Sequence, residues 1–292
     1  MCPICKSLEF NVIGLPQISS KASKIVKVDY QIVQCKTCEL YYTYPWINFT
    51  PEEWQYLYSD DYFTGRSKYN NKIKEKDSRL RIRTITKYVP HKINNFLDIG
   101  CGEGYSLIEA HKKGWNVYGI DISDHRIYQA QNESIKFIKS DLLNANLPSD
   151  YFDAIFLDSV LEHLTSPAEY LMEIRRILKK GGVLYIGVPN EDSLLNDLKV
   201  FIYFLLKKKF SSKIKPFNTP YHVIGFNKNS IDFAARSHDF KIIKLRNFAY
   251  RFEFLKSKTF SSEFFVLLLL LPVFLLAIPM NKEIYFEAYL QK

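Results

Sequence analysis

FLDIGCGEG, at residues 96–104, is the stretch that decides the fold of this chain. Its first four residues are typical of a buried strand, and the alternating glycines predict a turn that leads into a helix over 106–113. Glycines in such a turn let the backbone approach a ligand closely, and a helix N-terminus offers free N–H groups. The stretch therefore predicts a ligand site at the carboxyl end of a strand.

Strand and helix patterns alternate on the carboxyl side of this turn. We predict four further strands, over 117–120, 135–138, 154–157 and 183–188. We also predict two further helices, over 125–131 and 167–178. Alternation of this kind indicates right-handed βαβ units and an open parallel sheet. The sequence therefore predicts an α/β fold.

The composition is that of a globular protein and excludes a disordered or collagen-like chain. Of 292 residues, 47% are hydrophobic and 24% are charged, with 40 Lys and Arg against 31 Asp and Glu, a net charge of +9. From Lys199 to Lys258 there are fourteen basic residues and three acidic ones, a net +11. Such a surface favours anionic partners, namely nucleic acid, acidic lipid headgroups or phosphorylated substrates.

Four short motifs in this order resemble the class I S-adenosylmethionine-dependent methyltransferases: LDIGCGEG at 97–104, GID at 119–121, SDL at 140–142 and DSVLEHL at 158–164. The resemblance implies a Rossmann-like sheet of seven strands, six parallel and the last antiparallel. Residues 283–290 (EIYFEAYL) would be that antiparallel strand. A nicotinamide-dependent dehydrogenase is disfavoured, because its phosphate turn has G-x-G-x-x-G spacing and Asp98 would repel a pyrophosphate.

The resemblance also implies which residues bind the cofactor. Asp98, with Gly100, Gly102 and Gly104, would bind the amino-acid end of the cofactor. Asp121 with Ile122 would bind the ribose, and Asp141 with the Leu142 N–H would bind the adenine. Asp158 and Ser159 would line the transfer site. Cys101, within the turn, is interpreted as a small packing residue rather than a nucleophile.

Two C-x-x-C pairs near the N-terminus, separated by twenty-nine residues, are Cys2 with Cys5 and Cys35 with Cys38. Four thiolates in this spacing predict a closed tetrahedral zinc site, which would be structural rather than catalytic. The alternatives are redox pairs or four unrelated buried thiols. The segment is also similar to the zinc-knuckle leader of methyltransferases in sugar and natural-product pathways, although Lys6 and Glu39 stand where that leader usually has glycine.

Three regions follow from these patterns. We predict a zinc-binding leader with an aromatic turn over 1–63, a basic linker helix with a solvated face over 64–94, and a methyltransferase domain over 95–292. Within that domain, acceptor-side insertions are predicted at 190–228 and 250–281.

The candidate catalytic residues lie in TPYHVIGF at 219–226 and in the EHL turn. His222 resembles the cap histidine of sugar and small-molecule methyltransferases, and a histidine can take a proton from a hydroxyl near neutral pH. His163 is the competing base, and Tyr221 is predicted to position the acceptor. For each histidine a structural role is the alternative.

Two apolar segments predict contact with a membrane surface. Residues 264–280 contain no charged residue, and 194–210 are apolar with Lys207, Lys208 and Lys209 near their end. As a helix, seventeen residues reach about 25 Å, less than the hydrocarbon thickness of about 30 Å, so we predict a segment lying in one leaflet. The alternative is a hydrophobic helix packed on the sheet or on another subunit.

The sequence therefore predicts an S-adenosylmethionine-dependent methyltransferase with structural zinc, acting on a lipid-linked sugar or another membrane-presented metabolite. A soluble small-molecule or RNA methyltransferase and a cofactor-binding module without turnover are the alternatives. Nucleic acid is disfavoured as a partner because the excess positive charge does not lie on the cysteine-rich segment. The opening MCPICK lacks the apolar run of a secretory signal, so we expect reduced thiols and a cytoplasmic location at the inner face of the membrane.

Overall fold

The computed structural model of the chain describes residues 1–58, 71–248 and 262–292. The strands in these residues are β1 (Phe10–Gly14), β2 (Gln31–Cys35), β3 (Tyr41–Tyr44), β4 (Asn95–Ile99), β5 (Asn116–Asp121), β6 (Ile135–Lys139), β7 (Phe152–Asp158), β8 (Leu178–Pro189), β9 (Ile224–Gly225), β10 (Lys241–Phe248) and β11 (Tyr285–Gln291). The α-helices are α1 (Pro51–Leu57), α2 (Asn71–Ile85), α3 (Tyr105–His111), α4 (Pro167–Ile177), α5 (Leu194–Leu205), α6 (Lys228–Ser237) and α7 (Ser262–Ala277).

The larger sheet has seven strands in the order β10-β11-β8-β7-β4-β5-β6. Neighbouring strands from β8 to β6 pair in parallel, whereas β11 is antiparallel to both β8 and β10. Six strands therefore point one way and β11 the other, which confirms the predicted fold class. The strand order reverses beside β4, so the carboxyl ends of β4, β5 and β7 border the crevice where ligands bind in open α/β sheets.

Burial on both faces explains why the central strands read as nearly continuous apolar runs. In β7 the six residues from Phe152 to Leu157 are all buried. Phe156 stacks on Tyr185 of β8 with ring centroids 4.5 Å apart, and it also packs on Phe96 of β4 at 5.3 Å. These aromatic contacts fix neighbouring strands to one another and hold their carboxyl ends in place.

The smaller sheet is antiparallel and has the order β1-β2-β3-β9. Its first three strands belong to the cysteine-rich leader, but β9 comes from the chain directly after His222. Tyr41 and Tyr42 of β3 pair with Gly225 and Ile224. The leader is therefore joined by backbone hydrogen bonds to the segment that carries a candidate catalytic residue.

Two predicted elements differ from the structure. The helix predicted over 125–131 is only a 3-10 turn, Tyr128–Gln131, because Ile127 is extended and the Arg126 guanidinium bonds the Ala130 carbonyl instead. The strand predicted over 25–33 begins at Gln31, since the backbone N–H groups of Ile25 and Val26 both donate to the Ala22 carbonyl in a preceding 3-10 turn. The aromatic turn predicted at the end of the leader, which extends to 63, lies mostly outside the described residues.

Both apolar segments form helices, α5 and α7, and the two helices pack against each other. Pro272 lies inside α7. Among the described residues, no helix has both the length and the apolar character that a membrane crossing requires.

Candidate functional site

A cavity of about 370 Å³ opens at the carboxyl ends of β4 and β7. Three parts of the chain line it: helix α2, the glycine turn with the start of α3, and the end of β7. The lining residues are Ile73, Lys74, Asp77, Ser78, Arg81, Asp98, Gly100, Cys101, Glu103, Gly104, Tyr105, Ser106, Phe156, Asp158 and Ser159. The structure thus brings five of the ten predicted cofactor residues into one cavity.

The glycine turn adopts a left-handed backbone at all three of its glycines, with φ of 69° at Gly100, 48° at Gly102 and 81° at Gly104. A β-carbon at Gly100 would lie 2.4 Å from the Val160 side chain, and one at Gly104 would lie 2.6 Å from that of Ala130. A β-carbon at Gly102 would meet no atom within 4 Å. Gly100 and Gly104 therefore serve packing, whereas Gly102 leaves space open to a ligand.

Asp98 is a buried carboxyl at the floor of the cavity. Its side chain accepts a hydrogen bond from the Ser106 hydroxyl. Burial, reinforced by the nearby Asp158 and Asp121 carboxylates and opposed by the Ser106 hydrogen bond, raises the pKa of Asp98 to about 8. Such a site suits a cationic ligand group, since a positive charge would stabilise the ionised carboxylate.

Asp158 is paired with a buried arginine that the sequence analysis did not identify. Arg81 of α2 donates from Nη1 to Asp158 Oδ2 at 2.6 Å and from Nε to Glu287 Oε1 at 3.0 Å. Arg246 also pairs with Glu287, at 2.5 Å. Burial raises the pKa of Asp158, and the Arg81 guanidinium opposes that rise.

The predicted solvated face of α2 is therefore wrong at Arg81, whose side chain is only 7% exposed. Lys74 also lines the cavity and pairs with Glu103, although its side chain is partly exposed. One feature of the sequence indicated such a partner. Glu287 is an acid within the apolar strand EIYFEAYL, and a buried carboxylate requires a cation or hydrogen bonds.

The other predicted cofactor residues, Gly102 among them, lie along the same sheet edge but outside this cavity's lining. Asp121 accepts a hydrogen bond from the Gly102 N–H at 2.9 Å, so it is tied to the glycine turn. Asp141 accepts from the Leu143 N–H at 2.8 Å and from the Tyr170 hydroxyl. The Leu142 side chain is buried, whereas that of Ile122 is exposed.

A histidine cluster lies just beyond Ser159, in the 3-10 turn Leu161–His163 and the segment that precedes β9. The rings of His163 and His222 meet edge to face with centroids 4.9 Å apart. His222 Nε2 lies 3.9 Å from Oε1 of Glu162, which is buried. His163 Nδ1 lies 3.0 Å from the Tyr58 hydroxyl. The structure therefore brings the two competing candidate bases together, with a carboxylate beside His222.

Tyr221 contributes to this cluster by packing. Its side chain is buried and meets the Tyr58 ring edge to face at 5.5 Å. Its carbonyl oxygen lies 3.3 Å from His163 Nδ1. Neither Tyr58 nor Glu162 was identified from the sequence; the position of Glu162 directly before His163 was the available indication.

The four N-terminal cysteines converge as predicted. Their sulfur atoms all lie within 4.8 Å of one another, with 3.5 Å from Cys2 to Cys38 and 3.4 Å from Cys5 to Cys35. A tetrahedral zinc ion with Zn–S bonds of about 2.3 Å requires sulfurs about 3.8 Å apart, so this donor set fits the metal. A hydrogen bond from Cys38 lowers the pKa of Cys2 to about 5.

The turn after each cysteine pair has the backbone of a zinc knuckle. Lys6 and Glu39 adopt left-handed φ values of 62° and 60°. A left-handed non-glycine residue costs about 1–2 kcal/mol. The left-handed conformation thus occurs at both positions where the similar leader usually has glycine.

Cys101 is buried next to Gly119, and burial raises the pKa of its thiol. A protonated, buried thiol is a poor nucleophile. The placement agrees with the interpretation of Cys101 as a packing residue.

Comparison with known proteins gives matches in the same region. Residues 97–186 match the family described as a methyltransferase domain. A tRNA U34 carboxymethyltransferase from Glaesserella parasuis is 30% identical over 128 residues, 40% of this chain and 39% of that protein. A ubiquinone biosynthesis O-methyltransferase from Dechloromonas aromatica is 28% identical over 121 residues, 39% of this chain and 52% of that protein.

Among solved structures, a SAM-dependent methyltransferase from Archaeoglobus fulgidus superposes with a TM-score of 0.54 and 21% identity, over 80% of this chain and all of that one. The curated relatives are matched over only 29% to 60% of their own length.

The strand order, the antiparallel β11 and the glycine turn at the end of β4 define the fold of the class I S-adenosylmethionine-dependent methyltransferases. The chain therefore has the fold of that class, and residues 97–186 match the methyltransferase domain family in sequence.

Proposed function

We propose that this protein transfers a methyl group from S-adenosylmethionine to a hydroxyl of a lipid-linked sugar, or of another metabolite presented at a membrane surface. The observation that carries the proposal is the Glu162–His222 pair, with His222 Nε2 3.9 Å from Glu162 Oε1. Glu162 follows Ser159, which lines the cavity, by three residues. A carboxylate next to an imidazole is an arrangement that can accept a proton from a hydroxyl.

The cavity fits the amino-acid end of S-adenosylmethionine. Asp98 would pair with its ammonium group, and the space left open at Gly102 would receive the ligand against the turn. Asp121, tied to the Gly102 N–H, would face the ribose hydroxyls. When bound, the cofactor supplies a methyl group activated by a positively charged sulfur.

The chain's own contribution is then positioning and a proton acceptor. Asp158 and Ser159 line the cavity at the end of β7, and Arg81 holds the Asp158 carboxylate in place. We propose that His222 accepts the proton of the acceptor hydroxyl and that Glu162 stabilises the imidazolium that forms. His163 orients this pair by edge-to-face contact with His222.

We further propose that Cys2, Cys5, Cys35 and Cys38 hold a structural zinc ion. Four thiolate ligands would leave no open coordination position, so the metal takes no part in the transfer. Its role is to fix β2 and β3, and through the β3–β9 pairing to fix the chain next to His222. Because zinc-binding thiolates require a reducing compartment, we propose that the protein acts on the cytoplasmic side of a membrane.

The membrane-presented acceptor is supported by the position of α5 and α7. Helix α5 begins five residues after β8 ends at Pro189, and α7 ends eight residues before β11 begins at Tyr285. Tyr285 pairs with Pro189, so the end of β8 and the start of the antiparallel β11 lie together. Because β8 is parallel to β7, this is the edge of the sheet where the cavity opens.

The test is incubation with methyl-labelled S-adenosylmethionine and separate lipid, RNA and soluble extracts. We expect label in the lipid fraction. Label confined to RNA or to soluble metabolites would overturn the acceptor class, and cofactor binding with no label in any fraction would overturn the catalytic function.

Variants then test the base. His222→Ala and Glu162→Gln should lower turnover by about two to four orders of magnitude, while affinity for S-adenosylhomocysteine stays unchanged. His111→Ala, on the outer end of α3, is the matched histidine control. Normal turnover by His222→Ala would dismiss His222 as the base.

A further inference from the structure

The paired helices α5 and α7 present an unusually apolar surface. No residue of α5 is buried, although most of its side chains are large and hydrophobic. Among the most exposed side chains on the two helices are Phe201, Phe204, Leu205, Val266, Leu269 and Leu276, with Phe204 77% and Leu269 78% exposed. Contiguous apolar patches larger than a few hundred Å² are rare on monomeric proteins and mark sites that contact another protein or a membrane.

Helix α7 has no polar face. The chain from 264 to 280 carries no charged residue, and of the α7 side chains that the structure describes only Phe274 and Ala277 are buried. A helix that is hydrophobic all round is normally enclosed by protein or by lipid. Its sixteen residues reach about 24 Å, too short for a hydrocarbon core of about 30 Å, so a lipid environment would be one leaflet rather than two.

A cationic cluster adjoins this surface. Lys207, Lys208 and Lys209 directly follow α5 and are exposed, and no acidic residue occurs between Asp197 and Asp232. Lysines beside an apolar helix face match an anionic bilayer, where they contact headgroup phosphates while the apolar side chains enter the acyl region. A second copy of the chain on the same face would bring a second lysine cluster towards the first.

The start of α5 and the chain after α7 are held together by two polar contacts. Lys282 Nζ lies 2.7 Å from Asp197 Oδ2, and the Leu194 N–H donates to the Lys282 carbonyl at 2.8 Å. Three residues after Lys282, at the start of β11, Tyr285 hydrogen-bonds with Ser159, which lines the cavity. A surface bound through α5 and α7 would therefore lie close to the transfer site.

We propose that α5 and α7 insert side by side into one leaflet of an anionic membrane, with Lys207–Lys209 at the headgroup level, as the docking surface of this enzyme. The proposal deepens the proposed function, because it assigns the residues that bring the site to a lipid-borne acceptor. Binding to lipid needs neither cofactor nor acceptor, so it is measured independently of methyl transfer.

The experiment is flotation of the full-length protein with vesicles of phosphatidylcholine containing about 30% phosphatidylserine, compared with phosphatidylcholine alone. We expect co-flotation with the anionic vesicles that weakens as salt is raised. Phe204→Ser/Leu269→Ser should lower the partition coefficient at least tenfold on both vesicle types. Replacement of Lys207, Lys208 and Lys209 by Gln should lower it on the anionic vesicles alone.

The control for the apolar pair is Tyr128→Ser/Met172→Ser, which removes two exposed hydrophobic side chains elsewhere. Binding of S-adenosylhomocysteine by every variant shows that the fold is retained. Equal recovery of wild-type protein with and without vesicles would overturn the proposal, as would unchanged flotation of the Phe204→Ser/Leu269→Ser variant. A wild-type dimer in light scattering that does not float would assign the surface to a second copy instead.

Discussion

Cofactor binding should release a proton from Asp98, and this makes affinity depend on pH. In the ligand-free protein, burial next to other carboxylates raises the pKa of Asp98 to about 8, so the group is mostly protonated at pH 7. An ammonium group bound against it requires the ionised form. Below pH 8 the protein must therefore lose a proton on binding, and affinity should rise with pH.

The size of the effect follows from two ionisations. Binding needs Asp98 ionised, with a pKa of about 8, and the ligand amine protonated, with an α-amino pKa of about 7.8. The product of these two fractions rises about 20-fold from pH 6 to pH 8 and falls again above that. We expect a bell-shaped affinity profile with a maximum near pH 8.

The assay is isothermal titration calorimetry with S-adenosylhomocysteine, which has the same amino-acid end, in buffers of different ionisation enthalpy. Proton release on binding should approach one per ligand near pH 6.5. Asp98→Asn should abolish the acid limb and weaken binding at pH 8 about ten- to hundredfold, as expected for loss of a charged hydrogen bond.

Weak binding by the Asp98→Asn variant should not result from unfolding, because the variant should be at least as stable as the wild type. The folded protein raises the pKa of Asp98 above its unfolded value of about 3.9, so the wild type loses stability as pH rises from about 4 to 8. The asparagine variant escapes that loss and should unfold at an equal or higher urea concentration at pH 8. Wild-type affinity that changes less than twofold between pH 6 and 7.5 would refute this account of Asp98.

Further expectations concern the turn and the metal. Gly102→Ala should destabilise the fold by only about 1–2 kcal/mol, the cost of its left-handed backbone, yet block S-adenosylhomocysteine binding, because its β-carbon enters the space left for the ligand. Gly104→Ala has the same backbone cost and should destabilise the fold further, since its β-carbon would lie 2.6 Å from that of Ala130. Equal loss of stability in both variants would contradict the open space at Gly102. Cys38→Ser should lose bound zinc, measured by atomic absorption, and should have a lower melting temperature. The control, Cys101→Ala, should keep one zinc per chain. Full zinc content in Cys38→Ser would exclude the four-cysteine site.

Local sequence patterns predicted the central sheet because each strand is a short apolar run bounded by glycine or a charged residue. The helix predicted over 125–131 was wrong, since the Arg126 side chain competes with the backbone for the Ala130 carbonyl. Periodicity contains no information about such a contact.

Those parts of the site that are formed by residues close together in the sequence could be predicted. The alternating glycines and Asp98 lie within seven residues, so their chemistry can be read from the chain, and the regular cysteine spacing gave the metal donor set in the same way. Arg81 and Glu162 were missed because their roles depend on partners 206 and 60 residues away, at Glu287 and His222.

The sequence by itself determined the glycine turn, the four-cysteine cluster and two apolar segments, because each depends on neighbouring residues and on backbone conformation. Only the tertiary structure decided that α2 lines the cavity and pairs Arg81 with Asp158, that His163 and His222 meet beside Glu162, and that α5 and α7 pack together. These features depend on strand order and on charges that must be paired once they are buried, and neither is encoded in any short stretch of the chain.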